Sequence, residues 1–453
     1  METVENIIGE ISGVVWGLPL IFLLVGTGLY LTIRLTFFSF RQLPYALSLV
    51  FKKGDTKSKG DISHFQALMT ALAATVGTGN IAGVASAVAV GGPGAVFWMW
   101  ITAFVGMATK YAEAILGVKY RVENENGEMS GGPMYYIEKG LNLKWLAVIF
   151  AAFAAFAAFG IGNMVQSHEA AGVASQNFNI PVWATGIFLA VLVALVIIGG
   201  IKSIGKVVGV IVPVMIIFYI GAGLLIVLSN FADVPSAFAL IFTDAFTGQA
   251  VAGGAVGAVI QQGVARGIFS NEAGLGTGGI AAAAAKTDLP ARQALVSMTQ
   301  VFIDTIIVCT ITGLALVMSG VFERADDFDS AAQLTSAAFE QYLPGFGGII
   351  VAIALLFFVF STIIGWSYFG EKCFTYLFGI KAAMPYRIAF VIALFIGAVV
   401  SLDVVWGFAD VMNGLMAFPN LVALLLLSGV VVNETKKFRK KRQEEKAEEN
   451  KAS

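Results

Sequence analysis

Eleven apolar runs, most of them about 20 residues or longer, divide this 453-residue chain, and that spacing leaves few folds open. A hydrocarbon core about 30 Å thick is crossed by about 20 residues of helix. Runs of that length in succession describe an all-α polytopic membrane protein. They cover 14–36, 65–90, 94–118, 145–174, 182–200, 206–229, 250–286, 293–319, 346–376, 385–401 and 404–432. Charged residues make up 13% of the chain, about half the usual share for a soluble domain. A net charge of −1, with no basic patch interleaved with aromatics, gives no reason to expect a nucleic-acid partner. Cys309 and Cys373 lie in apolar runs, which argues against a disulfide framework. The N-terminus lacks a basic region and a small-residue cleavage site, so the first span is expected to be retained.

Lysine and arginine set the orientation. With the N-terminus outside, 25 of the 28 basic residues fall on cytoplasmic segments. Arg324 alone is then outside, and Lys110 and Arg266 fall within spans. So lopsided a split supports both an odd number of spans and a cytoplasmic C-terminus. The tail "KKFRKKRQEEKAEEN" reads as a solvated cytoplasmic end, and a lipid-headgroup role is the minor reading.

Two spans are unusual. The seventh run has 37 residues, about 55 Å of helix at 1.5 Å per residue, too long for one straight crossing. Its middle reads "FSNEAGLGTGG" (269–279), rich in glycine and polar groups. The second run carries "TVGTGN" (75–80) at the depth where lipid should be. With the first span set aside, the other ten form two sets of five, and each set opens on one of these interrupted segments. Five is odd, so the halves cross the bilayer in opposite senses. Paired interrupted helices at matching places in inverted halves point to a secondary transporter of the LeuT type, a 5+5 inverted repeat with one extra N-terminal helix. Unwound backbone is tolerated at that depth only where it lines a cavity. The competing explanation, glycines packing helix on helix, accounts for one such stretch more easily than for two. The corresponding division is an extra helix and loop over 1–64, a first repeat over 65–230, an extracellular connection over 231–249, a second repeat over 250–432 and a charged cytoplasmic tail over 433–453.

Three stretches carry a family resemblance: "ATVGTGNIAGVASAVAVGGPGAVFWMW" (74–100), "SGGPMYYIEKGL" (130–141) and "FSNEAGLGTGGIAAAAAKTDLPARQ" (269–293). Along its whole length the chain resembles the alanine/glycine:cation symporters, also called sodium:alanine symporters. It departs from a pattern common among them at Thr277-Gly278-Gly279 and at Asp288, just past the second break. The resemblance implies Na⁺-coupled symport of small neutral amino acids, alanine and glycine, across the cell membrane. The alternative is coupling to H⁺. No organic cofactor and no obligatory protein partner are implied.

The site follows from the chemistry of an amino-acid zwitterion. Its carboxylate needs donors, which the backbone N–H groups of Thr78 and Gly79 offer at the start of a half-helix, with the positive end of a dipole. Its ammonium needs acceptors, which carbonyls ending the other half-helices supply. Asn80 stands beside the first break, and Phe269, Ser270 and Asn271 face the same point from the second. Span four has Asn163 and Gln166 on one face. Gln166 is the expected side-chain donor to the substrate, against the alternative of an interhelical bond. Ile363, Trp366 and Phe269 are expected to wall the pocket and leave room for little more than a methyl group. Ser361 and Thr362, by the likeness to the LeuT-type fold, join the carbonyls of Phe358, Ala73 and Val76 in five neutral oxygens suited to Na⁺. Alone, such hydroxyls more often bond back to their own helix.

Ionisable groups inside spans are costly and are usually paired or functional. His168, Glu169, Arg266, Glu272, Asp304 and Asp410 are in that position. Structural pairing is the preferred reading for Arg266 and Glu272, while His168-Glu169 or Asp304 would serve a proton-coupled mechanism. Lys110 and Glu113 are expected to snorkel at the end of span three. "SGGPMYYIEKGL" suggests an interfacial helix, and 330–344 an extracellular helix placed as part of an outer lid. Two histidines and no ligand-like His/Asp/Glu spacing give little support to an enzyme.

Overall fold

In a computed structural model, residues 2–52, 58–246, 255–328, 330–400 and 403–452 are described. The expected end of the 231–249 connection, the start of the 250–286 run and residue 401 lie outside them.

The spans follow the apolar runs closely. A helix over Glu2–Val15 leads into α1 (Leu18–Arg34). Next come α2 (His64–Thr75) and α3 (Val84–Gly91), α4 (Gly94–Lys119), α5 (Lys144–Phe159) running on into α6 (Val165–Phe178), α7 (Val182–Ile197) and α8 (Gly200–Ser229). They are followed by α9 (Ala255–Asn271) and α10 (Thr277–Ala283), α11 (Pro290–Val301) running on into α12 (Thr310–Ser319), α13 (Gly347–Phe378), α14 (Ala383–Val399) and α15 (Asp403–Leu426). Among the described residues, eight helices are long and apolar enough to cross a membrane, nine when α2 and α3 count as one bent span. The helix α7 has 16 residues and falls short of that length, and the α9–α10 segment is split.

Burial sorts the spans into inner and outer ones. The apolar window of α4 is 83% buried, and that of α8 is 33% buried. Val214, Ile217, Leu225 and Leu228 of α8 project outward, which suits contact with lipid chains. Among the described residues, three spans carry π-helical turns: Gly79–Gly83, Gly160–Met164 and Phe302–Cys309. Such turns commonly mark functional positions. Each of these three holds a buried polar side chain, respectively Asn80, Asn163 and Asp304.

Three expectations change. Lys110 and Glu113 do not snorkel: both side chains are fully buried, 4.0 Å apart. The cause is partnership, because the Lys110 ammonium donates to the Glu272 carbonyl at 3.1 Å and Glu113 Oε1 accepts three hydrogen bonds. The helix Pro133–Leu141 is not merely interfacial: Met134, Tyr136 and Ile137 are buried, and the Tyr136 hydroxyl donates to Asn420 Oδ1. The tail is not a free solvated end, but a helix over Ser428–Ala452 docked on the bundle. Phe438 is 1% exposed there, and Glu434 pairs with Lys119 at 2.7 Å and Glu445 with Arg292 at 2.6 Å.

Candidate substrate and ion site

The first break begins where α2 stops. Ser63 caps that helix reciprocally with Gln66, so its start is fixed. At its end Val76 turns to an extended conformation, and the chain resumes at Thr78 after a bend of 55°. Asn80 holds the break open: its Oδ1 accepts the Gly77 N–H at 2.9 Å. Its amide group donates to Ser270 Oγ at 3.0 Å and to Asp304 Oδ1 at 2.9 Å. Ser270 and Thr305 both donate to Asp304 Oδ2 at 2.8 Å. One buried carboxylate thus ties both breaks to the eighth span.

In the second break the chain enters the left-handed region at Glu272 (φ 56°), Gly274 (φ 102°) and Gly276 (φ 91°). Glycine is the residue suited to the last two, and Glu272 is held there by partners. Glu113 Oε1 accepts the N–H groups of Gly274 and Gly276 at 2.9 and 3.0 Å. The Thr277 hydroxyl donates to Glu272 Oε2 at 2.6 Å. Gln300 spans both breaks, donating to Thr75 Oγ1 at 2.9 Å and to the Asn271 carbonyl at 3.2 Å. The two breaks touch: a Cβ on Gly79 would lie 3.2 Å from Ser270 Cα and 3.3 Å from Phe269 Cδ1.

A cavity of about 20 Å³ opens where they meet, lined by Ala74, Thr75, Gly77, Thr78, Gly79, Ile161, Gln166, Phe269, Glu272, Leu275, Thr362, Trp366 and Asn413. Thr78, Gly79, Gln166, Phe269 and Trp366, expected from the sequence, are in that wall. Asn80, Asn271 and Ile363 are not. The two asparagines instead shape the breaks, Asn271 through its own Ala273 N–H at 2.9 Å and Thr305 Oγ1 at 3.2 Å. Sequence reasoning missed Asn413 and Leu275 and gave Glu272 no place in the wall. An amide beside Gly414 within an apolar run was the available signal for Asn413.

The expected polarity of Gln166 is also revised. Its Nε2 donates to Thr78 Oγ1 at 3.2 Å and to the Ile161 carbonyl at 3.1 Å. A carbonyl only accepts, so this end must be nitrogen. The group left without a partner is Oε1, an acceptor. Gln166 therefore offers the cavity an oxygen rather than a donor.

The five oxygens considered for Na⁺ lie on α2, its extended end and α13. Ala73, Val76, Phe358 and Ser361 are fully buried, and Thr362 is 3% exposed. Ser361 donates to the Phe358 carbonyl at 2.9 Å, which leaves its own lone pairs available. Thr362 Oγ1 is buried without a partner and would stand 2.5 Å from a Cβ on Gly77. A hydroxyl oxygen desolvated in this way is costly unless something binds it. Trp366, one turn further along α13, packs against Gly162, where a Cβ would come within 2.4 Å of the tryptophan side chain. The glycine gives the indole its place at the wall.

At the basic end of the bundle the two broken spans are fastened together. Arg121 donates to the carbonyls of Lys59, Ala283 and Ala285 at 2.7 to 2.9 Å. Burial raises the Asp61 carboxyl above its ordinary value, while the Met129 N–H and Lys372 act to lower it. At the opposite end, the helix Ala331–Tyr342 sits on the first break, with Thr335 donating to the Ile81 carbonyl at 3.0 Å. His168 and Glu169 line a cavity of about 170 Å³ beside that helix, away from the breaks.

The model of the sodium:alanine symporter family matches residues 1–452. The chain belongs to that family. It is 58% identical over 447 residues to the sodium/alanine symporter AgcS of Methanococcus maripaludis, covering 97% of this chain and 98% of the relative. It is 39% identical over 438 residues to a putative sodium/proton-dependent alanine carrier protein of Bacillus subtilis, YrbD, covering 93% and 90%. Among solved structures it resembles MhsT in complex with L-phenylalanine, with a TM-score of 0.56, 12% identity and coverage of 83% of this chain and 98% of that one. That likeness establishes the LeuT-type fold. The chain is accordingly a multi-pass membrane transporter of the symporter class and not an enzyme.

Proposed function

We propose that the protein couples Na⁺ entry to the uptake of alanine and glycine across the cell membrane by alternating access, with its N-terminus outside and its C-terminus in the cytoplasm. The observation that carries this reading is the small cavity between the two breaks, walled in part by Phe269 and Trp366 and lined by both polar and apolar groups. The zwitterion's carboxylate faces the backbone at Thr78 and Gly79, and Na⁺ takes the oxygens of Ala73, Val76, Phe358, Ser361 and Thr362. Residues 65–230 and 250–432 act as the two inverted halves. A space of about 20 Å³ holds roughly one water molecule. Alanine is several times larger, so binding requires the walls to part, as alternating access demands.

Uptake of labelled alanine into proteoliposomes tests the reading. An inward Na⁺ gradient should drive it and a pH gradient without Na⁺ should not. The second reading, H⁺ coupling, is prompted by the name of the Bacillus subtilis relative, which gives both sodium and proton, and predicts the reverse.

Two variants refine the test. Thr362→Ala removes a hydroxyl with no other partner and should raise the Na⁺ concentration needed for alanine binding by about tenfold or more, since such a group is worth about 1–3 kcal/mol. More Na⁺ should restore binding, because the two ligands are linked reciprocally. Glu169→Gln, remote from the breaks, should leave the Na⁺ curve in place. Trp366→Ala should admit leucine, which the intact protein should reject in competition with alanine. Equal leucine binding before and after that change would remove the pocket assignment.

A further inference from the structure

The cavity wall holds three side-chain oxygens that are buried and without a hydrogen-bond partner: Gln166 Oε1, Thr362 Oγ1 and Asn413 Oδ1. Thr362 is assigned to the ion. The other two come from different spans, α6 and α15, and both are amide oxygens. Gln166 is 2% exposed and Asn413 1% exposed, so neither satisfies its oxygen with bulk water. A desolvated amide oxygen in an apolar interior is unfavourable without a donor. Two of them in the wall of one cavity call for a ligand that brings donors. The same wall includes Glu272, whose Oε2 accepts from the Thr277 hydroxyl at 2.6 Å.

We propose that Asn413 is a specificity-determining residue that accepts a hydrogen bond from the substrate's ammonium group, with Gln166 Oε1 as the second acceptor. This rests on the reading that alanine occupies this cavity. An ammonium carries three N–H donors in a compact head. Acceptors from α6 and α15 converge on that head, while the carboxylate lies at the first break. The arrangement selects for an unsubstituted α-amine, because a methyl on the nitrogen removes a donor and meets the Asn413 side chain. It also gives α15, a span outside the two breaks, a direct part in recognition.

Alanine and N-methylalanine are the probes, titrated against purified protein in saturating Na⁺, with Na⁺ alone titrated separately. The unaltered protein should prefer alanine strongly. Asn413→Ala should weaken alanine binding about tenfold, leave N-methylalanine nearly unchanged, and so narrow the ratio by a similar factor. Na⁺ binding without alanine should not move. Asn413→Asp keeps acceptor oxygens at the same place and should bind alanine at least as tightly as Asn413→Ala does. Unchanged alanine affinity in Asn413→Ala overturns the proposal. Equal weakening of both probes would make the residue a packing element, and a shift confined to Na⁺ would place it at the ion; either result overturns it as well. Failure of the underlying reading is distinct, because then the unaltered protein binds no alanine.

Discussion

Gly77→Ala is expected to weaken Na⁺-dependent alanine binding strongly while the protein still inserts and purifies as a single species. The added Cβ would lie 2.5 Å from Thr362 Oγ1 and 3.6 Å from Thr362 Cβ. One turn away, a Cβ on Gly365 would come 2.7 Å from the Ala74 backbone nitrogen, so the two helices are already in close contact here. The methyl group therefore acts as a wedge between the first break and α13, at the place assigned to the ion. Overpacking of this kind costs about 1–3 kcal/mol, which corresponds to a loss of roughly fivefold to more than a hundredfold in affinity. Calorimetric titration of alanine in Na⁺ reads the effect. Adding Gly77→Ala to Thr362→Ala should cost little more than Thr362→Ala alone, because both act on one contact. An unchanged affinity in the single variant would mean that the first break plays no part in binding.

Glu113→Ala should be the most destabilising single change proposed for this chain. It leaves the Lys110 ammonium buried without its carboxylate and takes the acceptor from the N–H groups of Gly274 and Gly276 and from the Asn420 amide. Breaking a buried pair by removing one partner costs about 3–5 kcal/mol. The loss should appear as a large fall in the temperature at which heated protein leaves the monodisperse peak. Glu113→Gln keeps an acceptor oxygen and should fall less. Lys110→Met added to Glu113→Gln should recover part of the difference, since no lone charge then remains. If Glu113→Ala is as heat-stable as the unaltered protein, the carboxylate does not organise the second break.

The two breaks were legible because glycine, threonine and asparagine at mid-span have few inexpensive explanations in lipid. The site was legible only in part. Thr78, Gly79, Gln166, Phe269 and Trp366 reach the cavity wall, and all stand at or near a break, just past a π-helical turn or one helical turn from the hydroxyl pair. Asn80 and Asn271 sit at the same places in the chain, yet their amides turn back to hold the backbone. Residue type alone does not distinguish a ligand group from a group that shapes the loop around it. The Glu113 network was not legible, because its partners lie 161, 163 and 307 positions away. An i,i+3 Lys–Glu pair near a helix end looks the same whether water or a neighbouring span receives it. The tail misled for a similar reason. Its charges read as solvated, and only Phe438 among them hinted at a buried face.

The contact between the two ends of the chain bears on how the protein is made. Ser12 donates to Asp410 Oδ2 at 2.5 Å, Arg34 to Ser428 Oγ at 2.7 Å, and the Arg439 guanidinium lies 4.6 Å from the centre of the Phe38 ring. A ribosome delivers Ser12 398 residues before Asp410, and Arg34 394 residues before Ser428. The helices that carry Ser12, Arg34 and Phe38 therefore precede their partners, and that side of their surface stays unmatched until the later helices have been translated. A nascent chain that stops short of Asp410 leaves Ser12 without that acceptor. One that stops before Phe438 also leaves Phe38 uncovered on that side. The helix Ser428–Ala452 thus acts as a clasp, and a copy without it differs from a finished one on the face that carries Phe38, Lys119 and Arg292.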